Sequence, residues 1–470
     1  MRRTRIVCTL GPASVSPPVL RQLISAGMDM ARFNFSHGGD AASHRAGVAA
    51  VRAAASAAGR HIALLQDLQG PKIRTGKLRD GLVRLLRGRT LVLTSRDLTG
   101  DDSRVAVSHA EIIDSLRAGD RVVLADGQIE LKVRSVEGPD AVCSVTRGGL
   151  LGERKGVTVP GRSFNLPALT EKDLRDLELG AELRFDYVAL SFVRRPEDVM
   201  SCRSALSRLD WNPPVIAKLE KREVLAHLKQ ILACADAVMV ARGDLGVELA
   251  LGEVPAVQKD IIYRANRAGV PVITATEMLE SMITSNRPTR AEASDVANAI
   301  WDGTDAVMLS QETSTGAHPV EAVRAMAKIC LAAEGHPSYQ RHRPVWEEQG
   351  SVASAIAHAA ASVAREVHAK AIIAFTESGS TALRVSKAYP MVRVIAASPH
   401  PEILRRTALY SDVVPLLSEP GSDTDEMIAN ATRSAVAAGL IRTGDRVVLV
   451  AGVAAGTTGQ TNLLKVETVS

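Results

Sequence analysis

Short apolar runs recur along the chain at 3–10, 28–35, 61–68, 187–192, 214–220, 237–242, 271–277 and 306–312. Helical patterns such as 17–26 and 254–268 fall between them. Runs this continuous suit parallel strands covered on both faces, and their alternation with helices suits βαβ units. Eight such units predict an α/β protein built on a closed (β/α)8 TIM barrel. Most of the runs end in polar or charged residues: Arg32 and Asn34, Asp67, Ser191, Lys218 and Glu220, Arg242 and Asp244, Thr276 and Glu277, Ser310 and Glu312. Active sites of such barrels sit at the C-terminal ends of the strands, so these side chains are expected to converge.

The barrel pattern is interrupted once. From 71 to 164 the chain turns to short alternating strands (91–94, 121–124, 129–133, 141–145) broken by Gly-Asp, Asp-Gly and Gly-Gly turns, which predicts an inserted all-β domain. An insertion at a βα loop lies over the active site and can act as a lid. The barrel domain is then expected over 1–70 and 165–335. A polar stretch at 335–350 reads as a linker, and 350–470 as a separate C-terminal α/β domain with a helix near 351–368 and strands near 371–375, 392–396, 413–416 and 446–450.

Composition narrows the field. A chain of 470 residues exceeds the size at which one core stops growing, which fits several domains. The net charge of +5 is not gathered into a basic run and only 3% of residues are aromatic, which argues against nucleic-acid binding. Five scattered cysteines without a C-x-x-C pair argue against a disulfide framework or a zinc site and suit a reducing cytoplasm. With no signal sequence and no apolar stretch of about 18 residues, no membrane partner is expected.

The strongest local chemistry is Ala217-Lys218-Leu219-Glu220, with Arg242-Gly243-Asp244 at the end of the next apolar run. Two carboxylates at a barrel mouth, with room for water and substrate oxygens, suit Mg²⁺. Lys218 lies two residues before Glu220 and so shares its strand face. A cation beside a metal suits a transferring phosphoryl group. The plainer alternative is a structural Lys218–Glu220 ion pair and an ordinary Arg-Gly-Asp turn. Arg32 and Arg74 offer donor forks for phosphate, and Asn34, Ser36 and Asp67 offer hard oxygen ligands for a cation. Ser36 and His37 are adjacent in sequence, poor geometry for a nucleophile and its base.

Segments 4–14 (TRIVCTLGPAS), 31–38 (ARFNFSHG), 240–248 (VARGDLGVE), 288–295 (PTRAEASD) and 298–313 (NAIWDGTDAVMLSQET) resemble the pyruvate kinase family, as does the order of domains. The resemblance implies phosphoryl transfer from phosphoenolpyruvate to ADP, giving pyruvate and ATP in the last step of glycolysis, by a cytoplasmic homotetramer. It implies that Lys218 stabilises the transition state and that Glu220 and Asp244 hold Mg²⁺ or Mn²⁺. Gly243, Asp244 and Thr276 would hold the carboxylate and enolate end, and Arg32 the phosphate. Thr276, Ser310 and Glu312 correspond to the proton-transfer region, and Asn34, His37, Arg74 and Lys155 to the nucleotide side.

In the family a monovalent cation lies near Asn34, Ser36, Asp67 and the carbonyl of Leu68. Lys72 stands where cation-dependent members commonly carry Glu, and with Leu68 and Gln69 it resembles the K⁺-independent branch, so K⁺ is not expected to be required. Other departures from the common pattern are Lys221, Glu277 and Gln311. The segment Thr376, Glu377, Ser378, Gly379, Ser380, Thr381 resembles the family's sugar-phosphate effector loop, with 452–459 closing over it. Glu377 favours a monophosphate or AMP over a bisphosphate, and the plainer alternative is a helix-capping loop. A Mg²⁺-dependent pyruvate or phosphoenolpyruvate lyase and a catalytically weakened regulatory protein are the competing readings.

Overall fold

In the computed structural model, the described residues are 2–36, 39–162, 164, 166–341, 346, 351–452 and 461–470. Eight parallel strands close into a barrel: Arg5–Thr9, Met30–Asn34, Ala63–Asp67, Tyr187–Leu190, Val215–Leu219, Ala237–Ala241, Val272–Ala275 and Ala306–Leu309, the last pairing with the first. Helices such as Pro17–Ala26, Pro196–Arg208 and Val254–Arg267 surround it. Strand parity decides which side chain goes where. Ile6, Cys8, Ala31, Phe33, Leu64, Val188, Ala217 and Leu219 pack outward on the helices. Val7, Met30, Leu65, Ala189, Ile216, Met239 and Met308 fill the interior. Because side chains alternate with period two, the parity that places Ile216 inside also aims Lys218 and Glu220 at the mouth.

Between the third and fourth barrel strands the chain forms a six-stranded sheet in the order Val157–Thr158, Arg121–Leu124, Ile129–Glu137, Asp140–Arg147, Thr90–Thr94, Arg104–Ala106. A two-stranded ribbon pairs Leu82–Leu85 with Gly149–Gly152. The insert carries its own core, including Leu91, Leu93, Val122, Leu131, Val133 and Cys143. It therefore packs as a unit beside the barrel mouth.

After helix Val352–Glu366, a five-stranded sheet runs in the order Val413–Leu417, Arg393–Ser398, Ala371–Phe375, Arg446–Ala451, Leu463–Thr468. Its last strand is antiparallel and was not apparent in the sequence, because Lys465 and Glu467 interrupt its apolar pattern. Most of the linker at 335–350 lies outside the described residues.

This sheet's domain packs against the floor of the barrel. The barrel-interior core continues through Tyr187 and Tyr410 to Ala357 and Ala360 of the C-terminal domain. Lys387, fully buried, donates from Nζ to Asn266 Oδ1 and Asp305 Oδ2, each at 2.7 Å. Asp305 Oδ2 also accepts from the N–H of Val272, so one carboxylate ties both domains to the start of a barrel strand. Among the described residues no helix is long and apolar enough to cross a membrane.

Candidate active site

The mouth of the barrel gathers a buried cluster of alternating charge. Lys218 Nζ donates to Ser191 Oγ at 2.7 Å and lies 2.9 Å from Glu220 Oε1 and 3.2 Å from Asp67 Oδ1. Arg32 Nε donates to Asp67 Oδ2 at 2.6 Å, and its Nη1 donates to Thr9 Oγ1 at 2.9 Å. Burial alone would lower the Lys218 pKa, but Asp67 and Glu220 outweigh it and hold the ammonium above its usual range. Burial would likewise raise Asp67, yet Lys218 and Arg32 keep it below the ordinary aspartate value. Lys218 and Asp67 are therefore charged at neutral pH.

Asp244 follows the sixth strand, in helix Arg242–Glu248. Burial first and the Glu220 carboxylate second push it up to about 6, against the pull of Lys72 and Lys218. A buried carboxylate raised by a second one beside it attracts a divalent cation. Among the described residues no group of three His, Cys, Asp or Glu could hold a metal. A cation here would take two protein carboxylates and complete its shell with water or substrate oxygens, the pattern that suits Mg²⁺. The donor set fits that ion.

The Thr276 hydroxyl is placed by a strained turn. Thr276 and Glu277 have φ of 67° and 54°, a left-handed conformation that costs energy, most of all for a β-branched residue. Arg242 holds the turn, donating to the carbonyl of Thr276 from Nε at 3.1 Å and from Nη2 at 2.8 Å, and to that of Glu277 at 3.0 Å. Its Nη1 pairs with Asp295. In this conformation Thr276 Oγ1 accepts from the N–H of Gly243 at 2.7 Å, which locks the seventh strand end to the one carrying Asp244.

On the eighth strand end, Ser310 Oγ is buried with no hydrogen-bond partner among the described residues. Glu312 is turned inward to the backbone, accepting from the N–H groups of Leu279 and Ser310 at 3.1 and 2.6 Å. Burial raises its pKa. Its contacts support the loop, whereas the Ser310 hydroxyl retains unused capacity. Glu277 and Gln311, the departures nearest this region, are exposed at the rim and do not plug the cluster.

The remaining sequence candidates are spread more widely. Asn34 Oδ1 accepts from the N–H of Ser36 at 3.0 Å, and Asn34 pairs in register with Asp67. The carbonyl of Leu68 accepts from Ser191 Oγ at 2.7 Å. Arg74 and Lys155 belong to the insert: Arg74 Nη1 donates to the carbonyl of Arg154 at 3.1 Å, and Lys155 is exposed. His37 lies outside the described residues. A cleft separates barrel and insert, lined among others by Lys72, Asp126, Phe164, Phe192, Lys221 and Asp244. Lys72 reaches into it, 3.7 Å from Asp126 Oδ1, and Lys221 pairs with Glu248. Asp126, Thr9 and Asp295 were not singled out in the sequence: Asp126 is a lone polar residue in a turn, and Thr9 and Asp295 lie in segments that carry the resemblance but, at a strand end and on a helix, look ordinary one by one.

In the C-terminal domain, Thr376 Oγ1 accepts from the N–H of Gly379 at 2.8 Å, and Ser378 Oγ donates to Ser380 Oγ at 3.1 Å. Thr381 Oγ1 meets Thr461 Oγ1 at 2.9 Å, and Glu377 faces His400 Nε2 at 2.9 Å. Of the segment expected to close over this loop, 453–459 lies outside the described residues.

Comparison with known proteins agrees with this geometry. Residues 1–323 match the family model for the pyruvate kinase barrel domain, and 354–467 that for its alpha/beta domain. The chain is 44% identical to a pyruvate kinase of Mycobacterium intracellulare, over 99% of this chain and 98% of the relative. It is 42% identical to one from Staphylococcus saprophyticus, over 100% of this chain and 81% of the relative. The crystal structure of a pyruvate kinase from Cryptosporidium parvum superposes with a TM-score of 0.92 at 36% identity, covering 100% of this chain and 96% of that one. Sequence, fold and the buried cluster at the barrel mouth thus coincide, and the chain belongs to the pyruvate kinase family.

Proposed function

We propose that this chain transfers the phosphoryl group of phosphoenolpyruvate to ADP, yielding pyruvate and ATP. The observation that carries this reading is the Lys218 ammonium, held 2.9 Å from Glu220 and 3.2 Å from Asp67 with Arg32 on the far side of Asp67. Phosphoryl transfer rests on positioning and on fixed cations around the equatorial oxygens, more than on covalent chemistry by the protein. Arg32 and Lys218 would bind the phosphate of phosphoenolpyruvate. The Gly243–Asp244 backbone and Thr276 would orient its carboxylate. Arg74, Lys155, Asn34 and His37 would meet the nucleotide. As ADP attacks in line, Lys218 would hold the departing enolate oxygen. The Ser310 hydroxyl, without a hydrogen-bond partner among the described residues and next to a backbone braced by Glu312, would lie on the route of the proton to the methylene carbon.

Pyruvate kinases use a divalent metal, and Glu220 and Asp244 would hold it here as Mg²⁺ or Mn²⁺. When bound, it supplies a Lewis-acid centre for the phosphoryl and enolate oxygens. Lys72, in the cleft within the electrostatic reach of Asp244, supports activity without K⁺. The fixed ammonium would supply the field that a cation near Asn34, Ser36, Asp67 and Leu68 supplies elsewhere. The insert at 71–164 would act as the lid. The loop at Thr376, Ser378, Gly379, Ser380 and Thr381 would take a monophosphate or AMP, with Glu377 disfavouring a second phosphate. Homotetrameric assembly and cytoplasmic location complete this reading.

A coupled assay with phosphoenolpyruvate, ADP and Mg²⁺ tests the reaction. Pyruvate formed in step with ATP is expected. Pyruvate formed without ADP would point to a lyase, and no turnover would point to a regulatory protein.

A further inference from the structure

The chain leaves the barrel for the insert near residue 70 and returns near residue 166, and a single short loop touches both crossings. On the outgoing side, Ser191 Oγ donates to the carbonyl of Leu68 at 2.7 Å. Gly70, at φ 67°, sits so close to Ser191 and Phe192 that an added Cβ would lie 3.0 Å from each side chain. On the returning side, Arg194 donates from Nη1 to the carbonyl of Phe164 at 2.6 Å and from Nη2 to that of Leu166 at 2.8 Å. Asp198 fixes the fork, accepting from Nε at 3.2 Å and Nη2 at 3.1 Å. A guanidinium with its donors spent in fixed directions positions what it holds more narrowly than a lysine could.

The same loop touches the reacting end of the barrel. Ser191 Oγ accepts from Lys218 Nζ at 2.7 Å, and the N–H of Phe192 donates to Glu220 Oε2 at 2.8 Å. Phe192 adopts φ 55°, an uncommon conformation for a bulky residue, which aims that N–H at the carboxylate while its ring faces the cleft. Three neighbouring residues thus join both lid crossings to the lysine and to one of the two carboxylates.

We propose that loop 191–194 makes lid position and the geometry of the Lys218–Glu220 pair a single variable, with Arg194 as its positioning residue. Movement of the returning crossing pulls on Arg194. That shifts Phe192 and so changes the hydrogen bond orienting Glu220, whose orientation sets metal affinity. The inference rests on the function proposed above, but its test does not need turnover. Partners of a metal-binding carboxylate commonly alter affinity about 10-fold to 100-fold when disturbed.

The test uses the full-length protein and its Arg194→Lys and Arg194→Gln variants. Mn²⁺ binding is followed by electron paramagnetic resonance, and hydrogen exchange is read at the Phe192 amide. Mn²⁺ affinity is expected to fall about 10-fold and the Phe192 amide to lose protection, although Arg194 touches neither. Arg194→Lys should recover less than half of the affinity lost in Arg194→Gln. Asp198→Asn keeps Arg194 but frees its fork, and should shift both readouts the same way by a smaller amount. It decides the matter if the Arg194 variants do not fold. Loosened hinge amides with Mn²⁺ affinity and Phe192 protection unchanged would overturn the proposal and leave Arg194 a plain strut. If the unmodified chain forms no pyruvate while both readouts respond, the proposed function fails and the coupling stands.

Discussion

Replacing Lys218 by Met tests the cluster most directly, because it removes one charge and little volume. The ammonium faces two carboxylates and one hydroxyl, at 3.2, 2.9 and 2.7 Å. Asp67 would keep Arg32 at 2.6 Å, and Glu220 would keep the N–H of Phe192 at 2.8 Å. Neither carboxylate is left bare, so the loss of stability should stay below the roughly 3–5 kcal/mol typical of breaking a buried pair. Catalysis should suffer more. A unit charge about 4 Å from a phosphoryl or enolate oxygen, at an effective dielectric constant of about 20, is worth about 4 kcal/mol. If that interaction is made in the transition state, its loss lowers kcat about 10³-fold. Metal binding should move the other way: with the competing ammonium gone from Glu220, Mn²⁺ affinity should hold or rise. Steady-state kinetics, Mn²⁺ titration and thermal melting of the variant give the three quantities. Turnover within tenfold of the parent, or a tenfold loss of Mn²⁺ affinity, would refute this account of the cluster.

Other substitutions probe separate parts of the molecule. Glu220→Gln should weaken Mn²⁺ binding by more than tenfold while lowering stability by less than the roughly 3–5 kcal/mol of a broken buried pair, since Lys218 keeps Asp67 and Ser191, and an unaltered titration would remove Glu220 from the metal site. Lys72→Glu should make turnover in tetramethylammonium or Tris buffer depend on added K⁺, whereas strong K⁺ activation of the unmodified protein would show that Lys72 does not replace the ion. Lys387→Met takes the cation from Asp305 beneath the barrel, while Asp305 keeps the N–H of Val272 and Asn266 the Tyr389 hydroxyl, so it should cost about 3 kcal/mol in denaturant unfolding, the low end for a broken buried pair; Asp305→Asn combined with it should restore part of the loss. For Asp29, burial would raise the pKa, but Arg2, Arg5 and the N–H of Ile6 hold it below 3.8. Its stabilisation is therefore complete above the unfolded value and lost as pH falls through the lower folded one. The stability gap between parent and Asp29→Asn should be flat from pH 5 to 7 and close only below about pH 4, and a gap already closing at pH 6 would contradict this.

What the sequence made legible followed from periodicity, and what it hid depended on contacts that cross the fold. Continuous apolar runs showed the barrel, and period two put Lys218 and Glu220 on one face, because both are properties of a single strand. The partnership of Lys218 with Asp67 required the third and fifth strands to present their ends at one height, which closure of the barrel supplies. Arg242 was visible as a polar strand end, but its work on the Thr276–Glu277 turn was not, since a left-handed Thr has no signature in a sequence. Arg194 was hidden further still: beside Arg195 and ahead of a helix, it reads as an ordinary solvated charge, and only the return of the inserted domain brings the carbonyls of Phe164 and Leu166 to it. Lys387 makes the same point from the other end of the barrel. A lysine in the last turn of a helix reads as a partner for the helix dipole, yet it is buried against Asp305, 82 positions away. The candidate site groups were legible because they sit at the ends of repeating elements and in segments that resemble the family, whereas the groups that hold the domains against them sit where elements meet. Those junctions are where this chain's lid motion and metal affinity are expected to be set.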